Sequence, residues 1–268
     1  MDNSQKKLLS ARIDDLLGLT DRGYVVTSTS FLDPGEIYFA REYVNKIGAC
    51  KRSFFFGGYT DAERKCVFFL PEYYESVISD IGDTETVLDT VSEINETIKA
   101  LKICGSSYKN LTHRDYLGAI LNMGIDRSAI GDICVLGEYE CIIFALPSVA
   151  DLIKVNCERI GSDKVKIEEI SIQSNFEYER KTKIINDTVA SDRLDCVVGA
   201  IVNESREKAK SLILSGFVEC NYSVCSRTDL RIKNGDIISV RGSGKFIIDD
   251  VTEETKKGRL RLSARKYI

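Results

Sequence analysis

Two arginines, Arg193 and Arg206, each stand beside the start of a short run with helical apolar spacing, a position from which an arginine can hold an anion. The first run places Leu194, Val197, Val198 and Ile201 on one face and follows Ser191 and Asp192, either of which can cap it. The second is capped by Ser205, turns Ala209, Leu212 and Ile213 inward and Arg206, Lys208 and Lys210 outward, and closes at Gly216. A helix start offers backbone N–H groups without intrahelical partners and a partial positive charge, so an arginine there adds a forked, charged donor to a phosphate-binding position. A single such arginine is better explained by a surface ion pair with Asp192, Asp195 or Glu204. Two helix starts of the same kind tip the balance towards the anion.

The elements that must hold these residues follow directly. Phe217 to Cys220 reads as a strand, Asn234-Gly235-Asp236 as a tight turn and Ile237 to Arg241 as the partner strand, with Arg241 and Lys245 on the neighbouring loop. Arg-Leu-Asp at 193–195, Ser205-Arg206, Ala209, Leu212-Ile213, Gly216, Val218, Asn221, Gly235-Asp236 and Val240-Arg241-Gly242 together resemble the S4 RNA-binding domain, in register. S4 domains bind structured RNA through their two helices and adjoining loop. The resemblance therefore implies RNA contacts at Arg193, Ser205, Arg206, Lys208, Lys210, Arg241 and Lys245.

Composition sets limits on the rest. The 268 residues are 43% hydrophobic and 29% charged, which suffices for sizeable cores in two or three domains. No apolar run approaches the roughly 18 residues of a membrane span, and Met1 to Lys7 leads into an amphipathic helix rather than a signal sequence. A cytoplasmic protein with no membrane partner is expected. The nine cysteines are scattered without a Cys-x-x-Cys pair and there is one His, so neither a zinc site nor a disulfide framework is supported, and no metal or cofactor is expected. The net charge of −4 divides unevenly: from Ser191 on, 15 Lys and Arg stand against 11 Asp and Glu, a balance of +4, leaving 22 against 30, or −8, before it. Such a division confines contact with RNA to particular faces.

Ahead of this end, residues 4–17 place Leu8, Ile13, Leu16 and Leu17 at near-helical spacing, and Gly18 closes the run. Tyr24 to Phe31 reads as extended, Asp33-Pro34-Gly35-Glu36 as the start of a helix towards Ile47, and Lys51 to Phe56 and Lys65 to Leu70 as strands, making a small α/β unit over 1–80. Between those strands, Gly57-Gly58 allow close backbone approach and Arg64 could meet a phosphate, although an ordinary hairpin loop explains the same residues. The Lys-Ser/Thr of a P-loop is missing. Residues 80–96 read as a connection.

From there the order is strand Ile98–Cys104, helix Thr112–Met123, strands Asp132–Leu136 and Cys141–Ala145, helix Ser148–Arg159 and strand Lys164–Ile170. This β-α-β-β-α-β order is that of ferredoxin-like and RNA-recognition domains, a four-stranded antiparallel sheet with two helices on one face. Where RNA-recognition domains carry stacking aromatics, the central strands here offer Cys104, Cys134 and Phe144. Thr112 can cap the first of these helices, and His113, Arg114 and Arg127 near its ends are placed to meet phosphate. Local hydrogen bonding of His113 with Asp115 is the equal alternative, and no Ser or Cys at a motif position accompanies it to suggest nucleophilic catalysis.

Taken together, Phe-Gly-Gly-Tyr-x-x-Ala-Glu-Arg at 56–64, Leu-Thr-His-Arg-Asp-Tyr-Leu-Gly-Ala at 111–119, Ile-Gly-Asp-Ile at 130–133 and the S4-like end resemble the YlmH family, in the right order over most of the chain. That resemblance implies a bacterial, cytoplasmic, ribosome-associated RNA-binding protein, associated with obstructed large subunits that still hold peptidyl-tRNA and linked by gene neighbourhood to cell division. S4 domains also accompany enzymes. Arg193-Leu194-Asp195 resembles the catalytic word of some pseudouridine synthases, but Cys196-Val197-Val198-Gly199 replaces the Thr-Ser-Gly that should follow. A methyltransferase needs a Gly-rich loop after its first strand and a tRNA synthetase its His-Ile-Gly-His-like and Lys-Met-Ser-Lys-Ser-like words, and all are missing.

The expectation is an α+β protein with a small N-terminal α/β unit (1–80), a ferredoxin-like, RNA-recognition-like middle domain (81–175), a linker (176–190) and a C-terminal S4 domain (191–268). Its expected function is non-enzymatic binding of structured rRNA or tRNA on the large ribosomal subunit, with no catalytic residue, no cofactor and no obligate protein partner. An RNA-modifying enzyme of pseudouridine synthase or methyltransferase type, with an appended S4 domain, is the alternative.

Overall fold

The computed structural model describes residues 1–74, 84–106, 110–172, 176–178, 180, 182–252 and 258–267. The chain is mixed α/β, with three antiparallel sheets and, among the described residues, eight α-helices, and it divides into units 2–178 and 179–268.

In unit 2–178, helix α1 (Asn3–Gly23) starts in a reciprocal capping box between Asp2 and Gln5. It runs through Gly18, the expected stop, because the next turn is held by tertiary contact: buried Thr20 lies 2.8 Å from the Thr27 hydroxyl. Helix α2 (Pro34–Lys46) opens with a second capping box, Asp33 with Glu36, and Pro34 in the first turn. Of the extended stretch expected over Tyr24 to Phe31, only β1 (Thr27–Ser28) is a strand. It pairs with β3 (Cys66–Phe69), which also pairs with β2 (Ser53–Phe56). Residues 80–83 of the expected connection lie outside the described residues. The remainder forms helices α3 (Thr84–Thr90) and α4 (Ser92–Thr97), in which Val87, Leu88 and Ile94 are buried beneath an acidic exterior.

The next elements follow the expected order: β4 (Lys99–Gly105), α5 (His113–Asn122), β5 (Ile130–Val135), β6 (Glu140–Ala145), α6 (Pro147–Asn156) and β8 (Asp163–Ile170), with a short β7 (Arg159–Ile160) in addition. The sheet order β5-β6-β4-β8-β7 sets the four longer strands as the split βαβ layout does. On one face Tyr116 and Ile120 of α5 and Ala150 and Ile153 of α6 pack on Leu101, Ile103 and Ile143.

The opposite face departs from expectation. Ala100, Cys134, Ile142 and Phe144 lie in one core with Phe31, Phe56, Tyr59, Phe68, Val87 and Ile94, so the regions expected as separate domains, 1–80 and 81–175, share a hydrophobic interior. The residues that would form a base-stacking surface are therefore packed under the N-terminal region, with Phe144 stacked on Tyr59 at 5.3 Å between ring centroids.

In unit 179–268 the stretch expected as a linker, 176–190, contains β9 (Thr182–Val189). It pairs along its whole length with β14 (Leu260–Tyr267). β-Branched Thr182, Ile184, Ile185, Thr188 and Val189 suit a strand, but its partner is at the far end of the chain. Between them come helices α7 (Leu194–Val202) and α8 (Arg206–Leu214) and strands β10 (Val218–Cys220), β11 (Ser223–Val224), β12 (Ile237–Val240) and β13 (Gly244–Asp250), giving the sheet order β11-β10-β12-β13-β14-β9. Leu194, Val197, Val198, Ile201, Ala209 and Ile213 share a core with Val218, Ile238, Val240, Phe246 and Leu262. Lys256 and Lys257 of the basic end lie outside the described residues, while Arg261, Arg265 and Lys266 are on β14.

No helix among the described residues is long and apolar enough to cross a membrane. All nine cysteines are free thiols. Burial pushes those of Cys66 and Cys141 well up and that of Cys220 to about 12, so these three stay protonated.

Candidate nucleic-acid interface

Both expected helix starts are present, but they differ in what they offer. At α8, Ser205 caps as read: its hydroxyl accepts from the Lys208 N–H at 3.2 Å. The N–H groups of Arg206 and Glu207 have no hydrogen-bond partner among the described residues. At α7 the cap position is held by Arg193, not by Ser191 or Asp192, and without a side-chain cap. The N–H groups of Leu194 and Asp195 donate to Leu230 O at 2.8 Å and Thr228 O at 3.1 Å. The chain's own loop thus closes the start of α7, and Asp192 pairs with Arg231 instead of capping. What α7 presents is its arginine.

Between the two helix starts lies Asp195, whose side chain has no exposed surface. Its Oδ1 accepts from Arg193 Nε at 3.1 Å, and its Oδ2 accepts from Arg193 Nη2 at 3.3 Å and Arg206 Nε at 3.0 Å. Burial works against the charge of this carboxyl, but the two guanidiniums more than offset it and hold it below the usual carboxylate range. The ion-pair alternative is therefore real for both arginines, yet it does not saturate them. A guanidinium carries five N–H donors, and three on Arg193 and four on Arg206 have no acceptor among the described residues. The side chains remain 32% and 47% exposed, so these donors are within reach of a ligand.

Lys208 is exposed on α8 and Lys210 half-buried. Arg241 lies over the Phe217 ring, 5.4 Å from its centroid, and Lys245 lies 4.9 Å and 5.2 Å from the centroids of Tyr267 and Tyr222. The contacts of Arg241 and Lys245 are thus distinct from those of Asp195. Two arginines escaped the sequence reading. Arg231 forms an isolated antiparallel bridge with Arg193, and Arg227 approaches Asp229 at 3.7 Å. The only signal was Ser226-Arg227-Thr228-Asp229-Leu230-Arg231, which has turn chemistry but no periodicity tying it to a helix far earlier in the chain.

In unit 2–178 the sequence words at 56–64 and 130–133 meet at Asp132, and His113 of the word at 111–119 lies within range of its charge. This buried carboxylate accepts from Tyr59 Oη and the Glu63 N–H, both at 2.7 Å, and from the Arg64 N–H at 3.1 Å. Arg64 and Arg127 were read as phosphate contacts, but their guanidiniums are turned onto the backbone. Arg64 donates to the carbonyls of Ile130 and Phe31, both at 3.0 Å, and Arg127 to those of Ile130 at 2.6 Å and Gly131 at 3.0 Å. Burial lowers both pKa values, that of Arg127 to about 10, with Arg64's charge the next cause.

Thr112 caps α5 in a box with Asp115, which takes Asp115 away from His113. Desolvation, then the charge of Arg127, lowers the His113 pKa, leaving its imidazole neutral at pH 7 and able to donate a hydrogen bond but not a charge. Arg114 is exposed and makes no hydrogen bond or ion pair among the described residues. Among the sequence-read candidates of this unit, Arg114 alone offers an uncommitted guanidinium.

Fold and site together define a mixed α/β protein whose best-formed polar surface is a pair of guanidiniums fixed on one buried carboxylate. Residues 97–174 match the family described as "Putative RNA-binding domain in YlmH". A curated relative, the ribosome-associated protein quality control protein P2 of Bacillus subtilis (strain 168), is 28% identical over 243 residues, covering 90% of this chain and 87% of its own length. A solved structure, the cell division protein ylmH from Streptococcus pneumoniae, is 20% identical and aligns with a TM-score of 0.48 over 66% of this chain and 98% of its own. Residues 97–174 are thus similar to a domain of YlmH proteins, and the chain as a whole is similar to the Bacillus relative over most of its length.

Proposed function

We propose that this is a non-enzymatic RNA-binding protein of ribosome quality control, which grips backbone phosphates of structured rRNA or tRNA on the large ribosomal subunit. Residues 179–268 act as an S4 domain, and residues 97–174 as an RNA-recognition-like domain that adds a second contact. The observation that carries this reading is the pair Arg193 and Arg206, set at two helix starts and bridged by buried Asp195. The description of the matched family and the name of the Bacillus relative point the same way. Two weak modules on one chain raise avidity without either binding tightly alone.

The enzyme alternative finds little support. Asp195, the carboxylate of the Arg-Leu-Asp word, is out of solvent and doubly paired, a poor position for attack on a base. Every strand pairing among the described residues is antiparallel, whereas a methyltransferase of the doubly wound type needs a parallel sheet. The second RNA contact is not the covered sheet face. Arg114 at the start of α5 is the best-placed group for it.

Sedimentation with purified ribosomal subunits near physiological salt tests the reading. The wild-type chain should travel with the large subunit. Arg193→Ala/Arg206→Ala removes two charge-assisted contacts of about 1.5–3 kcal/mol each and should weaken binding about a hundredfold or more. Equal co-migration of wild type and variant, or wild type that binds neither subunits nor tRNA, contradicts it.

A further inference from the structure

The pairing of both arginines with one carboxylate carries a consequence that rests on the phosphate-binding reading and goes beyond it. We propose that Asp195 is the positioning residue of the RNA site: it fixes Arg193 and Arg206 by their Nε atoms as one rigid clamp, whose remaining N–H groups act together on RNA phosphate.

Three features of the geometry support this. First, the carboxylate is anchored independently of its partners. Its backbone N–H is bonded to Thr228 O at 3.1 Å, and it is followed in α7 by buried Val197 and Val198. It therefore cannot follow a mobile arginine and must hold it in place. Second, a long arginine side chain has rotamer entropy to lose on binding, and here two are ordered before RNA arrives, so less is lost on association. Third, one carboxylate is shared by two cations, which leaves a positive charge locally uncompensated. Two acids near Arg193 are engaged elsewhere: Asp192 with Arg231, and Asp229, which faces Arg193 at longer range, with Arg227. A phosphodiester brings the missing negative charge.

Simple electrostatics predicts the opposite of positioning when Asp195 is neutralised. Asp195→Asn keeps the shape and removes a negative charge beside the phosphate, which on charge alone should tighten binding. Positioning predicts a loss of about tenfold, because a neutral amide holds the two guanidiniums less firmly. The test is equilibrium binding of the full chain to purified large ribosomal subunits, with thermal unfolding of each variant by circular dichroism as the check on folding.

Asp195→Asn that melts with wild type and binds about tenfold more weakly supports the proposal. Equal or tighter binding overturns it. Added to Arg193→Ala/Arg206→Ala, Asp195→Asn should change affinity by less than about twofold, since it acts through those side chains; a further tenfold loss there marks a structural role and also overturns it. Should Asp195→Asn fail to fold, Arg193→Lys/Arg206→Lys decides. It keeps both charges but not the guanidinium fork, so about tenfold weaker binding supports the clamp and binding like wild type overturns it. If Arg193→Ala/Arg206→Ala itself binds as wild type does, the phosphate-site reading fails, and the role of Asp195 falls with it.

Discussion

Asp132→Ala is expected to destabilise unit 2–178 by about 3–5 kcal/mol. Asp132 is 9% exposed and ties together segments distant in sequence, accepting from Tyr59 Oη, the Glu63 N–H and the Arg64 N–H. Alanine leaves these donors without that acceptor, at about 1–3 kcal/mol for each that water cannot reach. It also removes the negative charge that Arg64 and Arg127 face. Urea unfolding followed by far-UV circular dichroism should show the transition of this unit displaced to much lower urea than in wild type. A loss under about 1 kcal/mol would mean that the words at 56–64 and 130–133 do not depend on Asp132 for their contact.

Gly58→Ala should cost nearly as much, about 3 kcal/mol, for a different reason. Gly58 has φ +103°, which alanine adopts only with strain. A Cβ there would overlap the Phe144 ring, lying 2.8 Å from its Cγ and closer to Cδ1 and Cε1. Phe144 is buried between Tyr59 and the sheet and has no room to withdraw. Gly124→Ala separates the two causes, since Gly124 has φ +78° but open space around its Cβ position, and about 1 kcal/mol is expected there. Equal effects at the two positions would show that close packing on Phe144 is not what Gly58 serves. The same denaturation experiment reads both.

Local chemistry was the legible part of this chain. The Ser205 cap, the apolar face of α8, Gly216 beyond its end, the helix start at Asp33 to Glu36 and the Thr112 cap are all set by residues within a few positions of each other. The β-α-β-β-α-β order was legible for the same reason, because each element has its own period. Pairing across the chain was hidden. Nothing near Thr182–Val189 announces that its partner is Leu260–Tyr267, so a strand read as a linker. Likewise Phe144 signals an aromatic on a central strand, but not that Tyr59 and Phe31 cover it.

The candidate site divides in the same way. Arg193 and Arg206 were found from helix starts, while the loop that closes α7 and brings Arg231 beside Arg193 is far away in sequence. Arg64 and Arg127 looked like phosphate ligands because an arginine near glycines or a helix end is the same word, whether it meets a phosphate or, as here, a backbone carbonyl. Only the fold decides which acceptor is nearer.

Neutralisation of RNA phosphates by Arg193 and Arg206 should appear in the salt dependence of binding to structured RNA. Each phosphate contact contributes about 0.7–0.9 to the slope of log affinity against log salt. Arg193→Ala/Arg206→Ala should therefore bind more weakly and flatten the slope by about 1.4–1.8 relative to wild type. Parallel lines, with the variant as tight as wild type at every salt concentration, would show that neither arginine meets a phosphate.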